Sequence, residues 1–496
     1  MRCRVAIICG WWLRVSSSSP QDLNGSTGPR VQEVLKNERR EVPDFLRWES
    51  ATDLGVDAIP IERYLSREFH ELEVEKVWRK VWQMACREED IPNVGDHVVY
   101  DIVNDSFIVV RTSPTEIKAF LNVCLHRGRR LRTEGGCVPN FRCPFHGFTW
   151  NIDGTFAENP SGWDFPQINP ERFSLPQVKV GTWGGFVFIN MDRNAAPLEE
   201  YLEDLPAHFA HRPLEDRYKS IHIAKVLRAN WKIAAEAFLE SFHLVATHPQ
   251  LLGSTSDEST EYSVWPGRRH ISRAITTAGY ASPHMKGTDE DTVLANYLLN
   301  RQYYGRTMEG RDLVASDLKL AEGQTAREFI ADQLRGQLKP LMGESAAEAA
   351  TDCEILDPIA YTVFPNFAPW MAAGPSLVYR FRPNGDDHGS SIIDVMFLSP
   401  YPPESDRPRP CEIHWLAEDE EWTEAEELGR LGPVLNQDSN NIPEIQRGLK
   451  ALSSFRRGLM MSRYQESRIR HFHQTLMEYI GSSSSGQPVR SNGKEG

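Results

Sequence analysis

Basic charge is scarce in this chain. Its 496 residues carry 55 Lys and Arg against 69 Asp and Glu, a formal net charge of −14. A surface without a basic footprint is not built for general nucleic-acid binding. Long apolar runs are scarce too. The stretch at 5–13 is nine residues held between Arg4 and Arg14, too short to cross a bilayer. Arg2 and Arg4 before it imitate the start of a signal peptide, but no small-x-small cleavage site follows. Residues 1–42 are therefore expected to be a disordered tail from an over-extended start, and no membrane partner is expected. The eight cysteines, at 3, 9, 86, 124, 137, 143, 353 and 411, are too few for a disulfide framework in a chain this long. A cytoplasmic, reducing location is the expectation. No glycine fingerprint for a dinucleotide follows a strand.

What is present is concentrated at 124–146. Cys124 and His126 form a C-x-H pair, and Cys143 and His146 form a C-x2-H pair sixteen residues further on. Two thiolates and two imidazoles can hold a [2Fe–2S] cluster, both cysteines on one iron and both histidines on the other. Neutral imidazoles add less negative charge than thiolates, which raises the reduction potential of such a cluster. Structural zinc also accepts two Cys and two His, but zinc fingers usually pair like with like, whereas both pairs here are mixed. The arginines at 127, 129, 130 and 132 make the first loop basic. They are either a solvated loop face or a docking patch for an acidic electron donor.

With Arg127-Gly128 after the first histidine and Gly147 after the second, the pattern resembles a Rieske centre. Residues near 240 resemble the catalytic half of the Rieske non-haem iron oxygenase alpha subunits, and together the likeness covers roughly residues 60–480. One small departure is Phe148, where much of the family has Trp. The fold implied is α+β: a small antiparallel β Rieske domain, then a helix-grip catalytic domain with a curved antiparallel sheet wrapped on long helices.

The texture of the chain supports that division. A helix is expected over 64–82, strands at 97–100 and 107–110, and a lead-in strand at 117–123 before the first pair. A hairpin is expected around Asp153-Gly154. The strand at 183–190 is expected to open the second domain. A helix at 198–209, strands at 221–227, 375–381, 392–398 and 412–416, and a long closing helix from about 455 to 480 complete it. The boundaries read as a tail at 1–42, a helical segment at 43–81, the Rieske domain at 82–165, the catalytic domain at 166–480 and a disordered tail at 481–496. Within the catalytic domain, 250–350 reads as an insertion or lid.

The stretch 230–249 reads as one amphipathic helix on which Glu236, Glu240 and His243 share a face. His248 lies five residues past His243, and Pro249 disfavours helical backbone there, so an end or bulge is expected that lets both imidazoles converge. Two histidines alone signify little; the upstream motif is what makes them candidates. A facial triad for Fe(II) also needs a carboxylate. Asp438 is the candidate, with an N-cap role as its plain alternative. The family's late ligand stands in a context matched here by Glu444 and Gln446-Arg447-Gly448-Leu449.

The resemblance implies the rest. Electrons would arrive singly from a separate ferredoxin or NAD(P)H reductase at the cluster of Cys124, His126, Cys143 and His146. They would pass to Fe(II) held by His243, His248 and Asp438. In the family an Asp commonly bridges the iron histidine to a Rieske histidine of a neighbouring subunit. Here Glu240 stands in that place, with one extra methylene, and His146 is the expected partner. Inter-subunit transfer implies a homotrimer or an α3β3 assembly. The implied reaction adds oxygen from O2 to a small apolar, aromatic substrate, by hydroxylation or dihydroxylation; the alternative is monooxygenation or oxidative demethylation of a non-aromatic or quaternary-amine substrate. The apolar residues Phe238, Phe242, Leu244, Val245, Tyr361 and Phe364 are candidates for a pocket lining or plain core. A pure electron-transfer Rieske protein and a zinc-binding structural protein are the other classes.

Overall fold

A two-residue turn decides where the first sheet ends. Trp183 and Phe186 pair directly, and Gly184 and Gly185 between them hold φ of +60° and +73°. Side chains resist that left-handed conformation, which the tightest hairpins require. The residues expected as one strand opening the second domain thus form the end of a hairpin, Gln177–Trp183 with Phe186–Asn190. Both strands belong to the first sheet. The computed structural model describes residues 23–303, 319–401 and 408–481; the apolar stretch at 5–13 and the tail beyond 481 lie outside them.

The first sheet has seven strands in the order Gln83–Arg87, Phe186–Asn190, Gln177–Trp183, Glu116–Leu121, Asp105–Ser113, Asp96–Ile102 and Gly136–Cys137. Its alternating apolar residues are the strand signal expected at 97–123. A three-stranded sheet, Asn140–Arg142, Thr149–Asn151 and Phe156–Glu158, lies beyond it. A separate small core fills this region: Ile108, Val110, Phe120, Phe141, Phe148, Trp150 and Leu175, together with Cys124 and Cys143.

The second sheet has eight strands. Their order is Thr255–Ser263, Ile271–Ala278, Ile359–Val363, Phe367–Met371, Ser376–Asn384, Asp387–Pro400, Arg217–Leu227 and His414–Leu416. All pairs are antiparallel except the last. The first two strands fall inside the expected insertion. They escaped the apolar pattern because they are polar and yet buried: Ser256, Thr260, Glu261, Ser263, Ser272, Arg273 and Thr277 are all inside. Arg273 meets Glu261 across the pair at 2.9 Å, and Arg468 reaches Ser272 and Thr362 at 3.1 and 2.7 Å. Buried polar groups survive when they are paired. The helices Glu290–Tyr303 and Ala326–Met342 also lie in this segment.

Other helices differ in extent. Val31–Lys36 is a helix inside the expected tail, with Val31, Val34 and Leu35 buried against the first two strands of the second sheet. The helix expected over 64–82 is three short stretches, Glu62–Leu65, Arg67–Glu73 and a π turn Val74–Trp78. The one over 198–209 is two, Leu198–Leu202 and Leu205–Phe209, parted at Glu203 with φ +53°. The closing helix begins later than expected: Ser467–Ile480 follows a non-helical stretch in which Phe455 is 91% exposed. Before that stretch runs the longest helix among the described residues, Leu431–Leu452.

Candidate active site

Two turns of the same design hold the upstream residues. In the first, the Gly128 N–H donates to the Cys124 carbonyl at 2.9 Å and the Cys124 N–H to the Arg129 carbonyl at 2.7 Å. In the second, Gly147 donates to Cys143 at 2.9 Å and Cys143 to Phe148 at 2.8 Å. The glycines have φ of +77° and +75°. Each turn buries its cysteine in the small core and carries its histidine outward, half-buried at His126 and exposed at His146. The two rings stand 4.7 Å apart, and His126 stacks on Phe148 at 4.5 Å.

These four residues fit an iron–sulfur cluster. Cys124 and Cys143 are buried free thiols. Burial pushes the Cys124 thiol up, and the neighbouring Cys143 sulfur adds to that, so a metal is what would draw the thiolates out. Burial, then the nearby His146 and Arg127, lowers the pKa of His126, which favours the neutral ring that ligates. Its Nδ1 is buried without a hydrogen-bond partner.

The downstream site is built by breaking a helix. Asn230 caps Trp231–Glu236, its side chain accepting from the Lys232 N–H at 3.0 Å. The expected continuous helix stops at Glu236; residues 237–243 are turns, and a short helix, Leu244–Thr247, follows. Glu236, Glu240 and His243 therefore do not share one helical face. Glu236 turns inward, taking the Tyr64 hydroxyl at 3.0 Å and lying 2.7 Å from His473 Nε2. Glu240 faces the other way. Its Oε1 accepts from His243 Nδ1 at 2.8 Å, and its Oε2 accepts the His243 backbone N–H at 2.9 Å. His248 leaves the short helix at φ −126°, ψ 51°, as a residue before proline tends to.

Asp438 lies inside Leu431–Leu452 rather than at its start, so it caps nothing. It is buried, and its Oδ1 stands 2.9 Å from His248 Nε2 and 3.7 Å from His243 Nε2. One ligand atom from each of His243, His248 and Asp438 falls within 4.8 Å of the others. Two imidazoles and one carboxylate make the donor set of a facial triad for Fe(II). Both histidines offer Nε2, because each Nδ1 is occupied. Burial pushes the His243 pKa down, but Glu240 and then Asp438 reverse this and leave it raised.

Gln437, which reasoning from sequence missed, accepts from His248 Nδ1 at 2.8 Å. Its only signal was its place beside Asp438. Of the expected lining residues, Phe238 packs on Tyr379 and Phe381 with ring centroids 4.6 and 5.4 Å apart. Tyr361 and Phe364 belong to the core, and Phe242 is exposed.

Residues 81–168 match the Rieske [2Fe-2S] domain, and residues 209–482 match the ring hydroxylating alpha subunit catalytic domain. The chain belongs to the ring-hydroxylating alpha subunit family. The carnitine monooxygenase oxygenase subunit of Escherichia coli (strain K12) is 31% identical over 212 residues, 42% of this chain and 57% of that protein. The biphenyl 2,3-dioxygenase subunit alpha of Rhodococcus jostii (strain RHA1) is 32% identical over 198 residues, 38% of this chain and 43% of that protein. These alignments span about half the length of the curated relatives. A crystal structure of the quaternary ammonium Rieske monooxygenase CntA in complex with L-carnitine shares the fold. It has a TM-score of 0.59 and 18% identity, over 86% of this chain and 96% of that one. A Rieske domain and a catalytic domain are thus joined in one α+β chain, as its residues implied. Among the described residues no helix is long and apolar enough to cross a membrane.

Proposed function

We propose that this alpha subunit is the terminal oxygenase of a multi-component system and that it monooxygenates a quaternary amine. Bound at these sites, the cluster would supply electrons singly and the Fe(II) would supply the activation of O2. The observation that carries the oxygenase reading is the convergence of His243, His248 and Asp438 within 4.8 Å, with both Nδ1 atoms already engaged. In this reading Cys124, His126, Cys143 and His146 hold the cluster. Glu240 orients His243 through Nδ1 and, at 11% side-chain exposure, lies near enough to the surface to meet His146 of a second copy. That contact needs at least a ring of copies, with a homotrimer or α3β3 assembly as its form. The electron source is a separate ferredoxin or NAD(P)H reductase.

The substrate class rests on a second observation. Tyr379, Phe238 and Phe381 form a packed aromatic cluster, and Tyr379 lies near enough to Asp438 to feel its charge. Aromatic faces attract quaternary ammonium groups, and the E. coli carnitine monooxygenase subunit is among the relatives. The second reading, ring hydroxylation of an aromatic hydrocarbon, has support from the same cluster and from the biphenyl dioxygenase relative.

A substrate panel tests both. Purified protein, a surrogate reductase, NAD(P)H and O2 are incubated with quaternary amines and with aromatic hydrocarbons, and products are read by mass. Turnover of an amine alone supports the first reading; a dihydroxylated ring replaces it with the second. NAD(P)H consumption without oxygenated product from either class would overturn the oxygenase reading.

A further inference from the structure

The two histidines of the candidate triad are held by different partners. His243 has a carboxylate, Glu240, on its Nδ1, whereas His248 has a neutral carboxamide, Gln437. A carboxylate can only accept, so it fixes the proton on His243 Nδ1 and leaves Nε2 bare. A carboxamide can present either its oxygen or its NH2, and only the oxygen gives His248 the tautomer that ligates through Nε2. Something must therefore govern which end of Gln437 faces the ring.

Gln250 stands in that position. Its Nε2 donates to Gln437 Oε1 at 2.8 Å, and Gln437 Nε2 returns a longer bond to Gln250 Oε1 at 3.4 Å. The two amides form a closed pair, so neither can turn over alone without setting donor against donor. Gln437 Oε1 then receives two N–H groups, from His248 and from Gln250, which matches its two lone pairs. Gln250 lies on the short turn Pro249–Leu251 directly after His248. Its backbone carbonyl takes the Asn300 side-chain N–H at 2.6 Å from the helix Glu290–Tyr303. On the other side, Asn441 Nδ2 reaches the Gln437 carbonyl at 3.2 Å and Thr247 Oγ1 at 3.3 Å. The amide pair is thus braced by the two elements that carry His248 and Asp438, and by a third from the insertion.

We propose that Gln437, locked by Gln250, is a positioning residue that sets the tautomer and orientation of His248 for metal binding. This rests on the reading of His243, His248 and Asp438 as iron ligands. Partners of ligating histidines are worth roughly 10- to 100-fold in metal affinity. Gln437 is held to that range, and Gln250, which acts through it, to a few-fold.

Fe(II) affinity of the full chain, measured by competition with a chelator after the mononuclear site has been stripped, is the test. Gln437→Leu should weaken Fe(II) binding by roughly 10- to 100-fold, and Gln250→Leu by less. Gln437→Glu should restore wild-type affinity or better, since a carboxylate can only accept; a merely structural role would not predict that rescue. The electron paramagnetic resonance signal of the iron–nitrosyl adduct should broaden in Gln437→Leu and sharpen again in Gln437→Glu. Circular dichroism and the urea midpoint of the full chain report that each variant is folded. Affinity unchanged in Gln437→Leu, or lost equally in Gln437→Glu, would overturn the proposal. If His248→Ala leaves Fe(II) binding at the wild-type level, the ligand reading itself fails, and the positioning role with it.

Discussion

Gly128 and Gly147 occupy the same place in two separate turns. Each donates its backbone N–H to the carbonyl of a cysteine four residues earlier, at 2.9 Å in both cases. Each also takes a left-handed φ, +77° and +75°. The pseudo-symmetry brings two unlike spacings, C-x-H and C-x2-H, to one candidate cluster site.

The two glycines should nevertheless respond differently to substitution. An added Cβ at Gly128 meets nothing within 4 Å, so Gly128→Ala carries only the backbone penalty, about 1–2 kcal/mol. At Gly147 the Cβ would also press on the Arg142 guanidinium at 2.9 Å and on Pro160 at 3.0 Å. The urea midpoint for loss of the cluster's visible absorbance should fall in both variants and fall further in Gly147→Ala. The opposite order would mean that the turns do not hold the cluster as described.

The two sites should be separable by metal. Cys143→Ala should bleach the visible spectrum. Asp438→Ala and His248→Ala should each remove the mononuclear iron and leave that spectrum intact, because the small core around Cys124 and Cys143 contains no residue of the second sheet or its helices. Iron and sulfide analysis checks this: the variants should keep the two irons and two sulfides of a [2Fe–2S] cluster and lose the remainder.

A buried carboxyl, Glu236, should lower stability between about pH 6.5 and 8. Burial, against the pull of Tyr64, Lys232 and Arg63, raises Glu236 from 4.5 to about 8. Its contribution is complete below pH 4.5 and is lost as pH rises through about 8. Burial holds His473 well below 6.5, and that contribution runs the other way, present above pH 6.5 and lost on acidification. The two oppose each other between 4.5 and 6.5, and above 6.5 His473 no longer offsets the Glu236 loss. Wild type should lose roughly 1–2 kcal/mol across that window. Glu236→Gln should lose less, as urea unfolding at a series of pH values would show.

How much of this was legible depended on how local each signal is. The candidate cluster residues lie in two short turns, and their spacing survives any error about the surrounding strands. Strands at 97–123 and 375–398 follow apolar alternation. The strands Thr255–Ser263 and Ile271–Ala278 do not, because Arg273, Glu261 and their neighbours replace apolar packing with paired polar groups that only the tertiary structure reveals. The break after Glu236 was hidden for a similar reason. Ala, Glu, Phe and Leu are acceptable helix residues, and the turn at 237–243 is held by Glu240 capping His243, a contact three residues long that looks helical on paper. Gln437 was legible only as a neighbour of Asp438, since its partners lie almost two hundred residues away.

The most direct test of the account is reoxidation of a pre-reduced cluster in one turnover. Protein is reduced without oxygen and freed of reductant. It is then mixed with substrate and O2 while the cluster's absorbance is followed. Glu240→Gln keeps the shape of the side chain but replaces one acceptor with a donor beside imidazole N–H groups. That mismatch costs about 1–3 kcal/mol when buried. This variant should retain both metals yet reoxidise its cluster roughly tenfold or more slowly than wild type, with Glu240→Asp closer to wild type. Equal rates in wild type and Glu240→Gln would contradict it, because electrons would then reach the iron by a path that does not use Glu240.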